Sequence, residues 1–163
     1  MSPFPLFNIV LVKPEIPSNT GNIGRTCVGS HSKLHLVEPL GFELTDKQLK
    51  RAGLDYWPHL QYKIYSDWQK LKKCFPSEDR VFYFSTKGSA SFYDSSFQPG
   101  DWFVFGSESK GLASIFSDMG LPPPPLSQIL KIPMPGSIRS LNLANAVSIT
   151  IYEAFRQVMV LKK

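Results

Sequence analysis

The sequence predicts an α/β fold, a mainly parallel sheet flanked by helices, and three observations carry that prediction. Short runs rich in β-branched, leucine and aromatic residues alternate with helix-like segments along the chain, the order of β–α–β units. The 163 residues are 42% hydrophobic and only 19% charged, enough apolar side chain for one core and too much for a disordered tail or scaffold. Cys27 and Cys74 form no Cys-x-x-Cys pair, so neither a zinc site nor a disulfide framework is expected.

The elements follow in order. Phe7–Val12 (FNIVLV) is a buried strand that Pro14 and Pro17 stop. Ser18 and Asn19 cap a helix over residues 20–29. Leu34–Val37 is a second strand, ended by Glu38-Pro39, and Thr45 caps a short basic helix over 46–52. Tyr62–Tyr65 is a weak strand, and Ser66 starts a helix over 67–74. Val81–Phe84 and Trp102–Phe105 are aromatic strands. A helix over 111–119 ends at the prolines Pro122–Pro125, and Ile129–Ile132 is the last strand. Residues 141–161 contain neither Pro nor Gly and form the longest helix. One domain over 7–163, preceded by an extension over 1–6, accounts for the length. The absence of a signal-like leader or a membrane-length apolar run, with two buried free thiols, points to the cytoplasm.

Ligand sites in such sheets lie beyond the carboxyl ends of the strands, which directs attention to the loops after Lys13, Glu38, Phe84, Phe105 and Ile132. The first loop, over 14–25, sits where a dinucleotide-binding turn would, but Gly-x-Gly-x-x-Gly is absent. Its Arg25 lies near a helix start, where a cation opposes the macrodipole; an anion contact and a plain surface arginine both explain it. The second loop, Gly106-Ser107-Glu108-Ser109-Lys110-Gly111, continues with Leu112-Ala113 rather than Lys and Ser or Thr, which excludes a P-loop. In the third, over 132–145, a cap role for Ser140 or Asn142 leaves Arg139 and Asn145 unexplained. His31, His35 and His59 share no ligand spacing, and His35 reads as structural. No catalytic triad and no metal site is visible.

Taken together, the loops carry a resemblance. Asn19-Thr20-Gly21-Asn22-Ile23-Gly24-Arg25, then Phe105-Gly106-Ser107-Glu108 with Gly111-Leu112, then Ile132-Pro133-Met134 with the run Arg139–Val147, resemble the three motifs of the SPOUT methyltransferases. Within them the chain is similar to the TrmL (YibK) group, a match strengthened by the runs Arg51–Tyr56 and Tyr152–Gln157 and extending over about residues 7–157. The resemblance implies a C-terminal trefoil knot, S-adenosylmethionine as cofactor and no metal. It implies ribose 2′-O-methylation of cytidine or uridine at wobble position 34 in leucine tRNAs, recognised at the anticodon stem-loop. It also implies a homodimer built through the first and last helices, with sites that use both chains. Carried over by position, cofactor contacts fall on Phe84, Gly106, Ile132, Met134, Ser140 and Leu141. The catalytic set is Arg25 with Asn19, Glu108 and Ser140, and RNA contacts fall on Arg139, Asn142 and Tyr152. Relatives often carry glycine where this chain has His31.

Charge supports an RNA partner. The chain is +5 overall, and seven cations against three anions lie between Asp46 and Lys73. Lys47, Lys50 and Arg51 are the candidates for phosphate contact there; solvated helix faces account for Lys70, Lys72 and Lys73. Two other readings remain: a SPOUT enzyme acting on rRNA or another tRNA position, and a non-catalytic RNA-binding protein that keeps the fold.

Overall fold

In a computed structural model the described residues are 4–44 and 55–160. Seven parallel strands form one sheet in the order β3-β2-β1-β6-β4-β7-β5. They are β1 (Asn8–Val12), β2 (Lys33–Val37), β3 (Tyr62–Tyr65), β4 (Val81–Phe84), β5 (Ala90–Ser91), β6 (Trp102–Phe105) and β7 (Ile129–Lys131). The helices are α1 (Pro17–Gly29), α2 (Trp68–Lys72), α3 (Gly111–Asp118) and α4 (Leu143–Val160).

The near-continuous apolar runs are what a sheet covered on both faces requires. Side chains alternate along each strand. Ile9, Leu11, Leu34, Leu36, Phe82, Phe84, Phe103 and Phe105 face one way, against Ile23 and Cys27 of α1 and Ala144, Val147, Ile151, Ala154 and Val158 of α4. The α4 residues recur every three or four positions, one helical stripe. Val10, Val12, Val37, Val81, Tyr83, Trp102 and Val104 face the other way, against Trp68 and Leu71 of α2 and Leu112, Ile115 and Phe116 of α3. The central strands add an aromatic ladder, with the Phe84 and Phe105 rings stacked at 4.8 Å and Phe103 edge-on to Phe97 at 5.1 Å. Each such pair contributes about 0.5–1.5 kcal/mol beyond the area it buries.

Several element ends differ from the sequence reading, each for a local reason. Pro17 does not stop a strand: it occupies the first turn of α1, where its missing N–H costs nothing, and the cap position is Ile16 rather than Ser18 or Asn19. Asp67, not Ser66, caps α2, accepting the Lys70 N–H at 2.9 Å, and α2 ends at Lys72. The prolines after α3 do not end it. Gly120, at φ 65°, does so, with Leu121 N–H returning to the Phe116 carbonyl at 2.9 Å. Asn142, not Ser140, caps α4, its Oδ1 accepting the Ala144 and Asn145 N–H groups at 2.9 and 3.3 Å. Cys27 is buried, but Cys74 is exposed. His31 has φ 51°, a left-handed conformation in which glycine is at ease. Leu6, assigned by sequence to the extension, is tied in by backbone bonds to His31 and Gly100. The helix expected over 46–52 lies outside the described residues.

His35 is structural, as expected. It is buried between Tyr65 Oη, 3.0 Å from Nδ1, and Asn8 Oδ1, 3.1 Å from Nε2. Burial, with Lys33 and Lys63 nearby, pushes its pKa down to about 3. The buried Asp101 carboxylate accepts a bidentate pair of bonds from Arg80 at 2.8 and 2.5 Å. Among the described residues, no helix is long and apolar enough to cross a membrane.

Candidate active site

The carboxyl ends of β1, β4, β6 and β7 converge on one cavity of about 690 Å³, within the roughly 300–1,000 Å³ range of small-molecule sites. Its walls come from the loops after these strands and the start of α4. All six residues assigned to the cofactor, Phe84, Gly106, Ile132, Met134, Ser140 and Leu141, line it. So do Asn19, Glu108, Arg139 and Asn142.

Side-chain hydrogen bonds lock the loops to one another. Glu108 Oε2 accepts the Glu15 N–H at 2.8 Å, and Oε1 accepts the Ile16 N–H and the Asn19 amide, both at 3.1 Å. Glu108 thus stands in for the cap that α1 lacks and places a carboxylate at the positive end of its dipole. Glu15 returns the contact, accepting the Ser109 hydroxyl at 2.6 Å and its N–H at 3.1 Å. Asn19 Oδ1 accepts the Asn142 amide at 3.0 Å, and Asn142 in turn caps α4. One chain of bonds therefore joins all three motifs around the mouth.

Close backbone packing shapes the floor. A Cβ on Gly106 would stand 2.3 Å from Leu112 N and 2.4 Å from Gly111 C, so α3 starts directly against β6. A Cβ on Gly88 would stand 2.8 Å from the Leu130 carbonyl carbon, holding the β4–β5 loop against β7.

Other predicted residues lie elsewhere. Arg25 is exposed on α1, outside the cavity lining, with its guanidinium 5.6 Å from the Tyr56 ring centre. Tyr152 is 52% exposed on α4, its hydroxyl 3.7 Å from where a Gly29 Cβ would be. Lys47, Lys50 and Arg51 fall outside the described residues. Lys70 and Lys72 pair with Asp67 and Glu78 at 3.8 and 3.2 Å, as solvated faces do. Sequence reasoning missed Glu15, Ser109 and the Ser85-Thr86-Lys87 wall of the cavity. Position alone points to the loop after Phe84, because those side chains carry no motif.

A family model described as the SpoU rRNA Methylase family matches residues 6–152. The chain belongs to the SpoU methylase family. Its TrmL branch is shown by relatives named tRNA (cytidine(34)-2'-O)-methyltransferase. That of Burkholderia pseudomallei (strain 1106a) is 47% identical over 153 residues, covering 93% of this chain and 96% of the relative. That of Polaromonas sp. (strain JS666) is 48% identical, covering 93% and 91%. A solved structure described by the 2-OH methylation of C/U34 on tRNA superposes with a TM-score of 0.80 at 42% identity, covering 96% of this chain and 97% of that one. The SpoU methyltransferase AviRb from Streptomyces viridochromogenes, solved with the cofactor AdoMet, shares the fold at a TM-score of 0.75 and 23% identity, covering 96% of this chain and 59% of that one. The SPOUT resemblance read from the loops is thereby borne out. As a SpoU methylase this chain is an RNA methyltransferase, and the interlocked cavity is its candidate active site.

Proposed function

We propose that this SpoU methylase transfers a methyl group from S-adenosylmethionine to the ribose 2′-OH of cytidine or uridine 34 in leucine tRNAs, in the cytoplasm and as a homodimer. The interlocked cavity carries the reading: residues of all three motifs line it, and a relative 47% identical over 153 residues is named for that reaction.

The residues present fit the cofactor. Ile132, Met134 and Leu141 offer apolar surface, the loop from Gly106 to Gly111 lines the cavity with small and polar residues, and the missing Cβ at Gly106 lets the start of α3 close against it. When bound there, the cofactor supplies an electrophilic methyl group for in-line displacement. The chain's own work is alignment and charge. Asn19, Glu108 and Asn142 fix the loops, and Arg139 at the rim holds RNA phosphate. Arg25 carries a permanent cation. It stabilises the developing alkoxide and grips the neighbouring phosphate.

Arg25 and Tyr152 do not line the cavity of their own chain, which supports a site completed across a dimer. The exposed stripe Ile149, Tyr152 and Met159 on α4, beside α1, supports that interface. The position of β7 between the sequence-consecutive β4 and β5 supports a threaded, knotted C-terminal segment.

The test is incubation with labelled S-adenosylmethionine and total tRNA, followed by mapping of the product. Label in a 2′-O-methylnucleotide at position 34 of leucine tRNAs is expected; label elsewhere, or none, overturns the assignment.

A further inference from the structure

We infer that Trp57 and Tyr62 form a stacking ledge for an unpaired base of the tRNA loop, beside Arg25 and outside the cofactor cavity. This rests on the tRNA reading above and deepens it.

The ledge is built by the edge of the sheet. Tyr62 opens the edge strand β3 and pairs in register with Leu34, whose side chain lies on the α1 face. Tyr62 and Ile64 therefore point to that face, yet they remain 41% and 40% exposed. Trp57, in the turn before β3, is half-buried with its ring centre 5.3 Å from that of Tyr62. Behind it, Tyr56 is buried and donates its hydroxyl to the Gly21 carbonyl at 2.5 Å. That bond fixes the turn on α1, and Gly24 lets Trp57 approach the helix. The Arg25 guanidinium lies over the Tyr56 ring, 5.6 Å from its centre.

Exposed aromatic surface on an edge strand invites aggregation unless it has a partner. The surrounding charge indicates which partner. Arg25 lies against the Tyr56 ring, the neighbour of Trp57 in the chain, and the run containing Lys47, Lys50 and Arg51 comes shortly before Tyr56 in sequence. Aromatic faces beside a cation are what single-stranded RNA selects, since bases stack on the rings while a phosphate meets the cation. A loop nucleotide held here would be anchored next to Arg25.

The test compares two anticodon stem-loops of a leucine tRNA, one intact and one with abasic loop nucleotides other than 34. The probes are bound to full-length wild type, Tyr62→Ser and Tyr62→Phe in the presence of S-adenosylhomocysteine. The wild type is expected to prefer the intact loop by on the order of tenfold, the size of one stacked base. Tyr62→Ser should lose that preference and Tyr62→Phe should keep it, with melting temperatures and S-adenosylhomocysteine affinities unchanged. A Tyr62→Ser protein that keeps the preference overturns the ledge alone. Loss of the dimer by light scattering in Tyr62→Ser, with RNA preference intact, assigns the face to a second copy and also overturns it. A wild type that neither binds nor methylates tRNA overturns the underlying reading and the ledge with it.

Discussion

Replacing Glu108 by alanine removes one of the two carboxylate links between the first two loops and leaves that of Glu15 to Ser109. Three donors lose their acceptor: the Glu15 and Ile16 N–H groups and the Asn19 amide. Ile16 is the cap position of α1, and no side chain within that helix caps it. A bond to a charged group is worth about 1.5–3 kcal/mol net, but Glu108 is only half-buried and water reaches part of the site. Loss of a helix cap costs about 0.5–2 kcal/mol. Together these place Glu108→Ala at a loss of about 2–3 kcal/mol, roughly 5–10 °C in Tm for a domain of this size. Glu108→Gln keeps the shape but turns an NH₂ towards a donor, costing roughly 1–2 kcal/mol. Urea or thermal unfolding reads the stability, and calorimetry with S-adenosylhomocysteine reads the cavity. Affinity should fall in both variants, more in alanine than in glutamine. An alanine variant that melts with the wild type and binds the product equally well would refute the idea that this carboxylate holds the loops.

Three other outcomes are expected. Gly106→Ala must push backbone atoms now 2.3–2.7 Å from the new Cβ outward. That overpacking costs about 1–3 kcal/mol, so the urea midpoint should fall and cofactor binding weaken; an unchanged midpoint would show that α3 is not seated on β6 as described. His35 titrates near 3 when folded against 6.5 when free, so the unfolded chain takes up its proton first as pH drops. Stability is therefore full above 6.5 and falls towards pH 3, with this one proton contributing a slope of about 1.4 kcal/mol per pH unit. Urea midpoints across that window should flatten by one proton in His35→Gln, and an identical slope in the two proteins would contradict the neutral buried imidazole. Arg25→Ala should keep its fold and cofactor affinity but lose on the order of 100-fold or more in methyl transfer. Near-normal turnover would remove Arg25 from the reaction.

Much of this molecule can be read along the chain, and the remainder lies between distant parts of it. The strands from Asn8, Lys33, Val81 and Trp102 announce themselves because both of their faces are buried and their runs are apolar. β5 is two residues, Ala90–Ser91, too short to show any period. The start of α1 misleads because its cap is supplied by Glu108, 92 residues beyond Ile16, and no local pattern encodes a bond of that span. The motifs point to loops that line the cavity, although Arg25 stands outside it, since each motif is a loop at a strand end. They did not reveal that Glu15 and Ser109 clasp the mouth, because an ordinary Glu and an ordinary Ser acquire that role only when β1 and β6 lie side by side. Nor does local pattern order the strands; placing β7 between β4 and β5 depends on contacts that no single segment carries.

The proposed acceptor is the ribose hydroxyl of nucleotide 34. A full-length leucine tRNA carrying a single 2′-deoxyribose at that position tests it most directly, alongside the all-ribose tRNA and labelled S-adenosylmethionine. Label is expected in the all-ribose tRNA and none in the deoxy substrate, with both binding the protein comparably. Equal label in the two would contradict it.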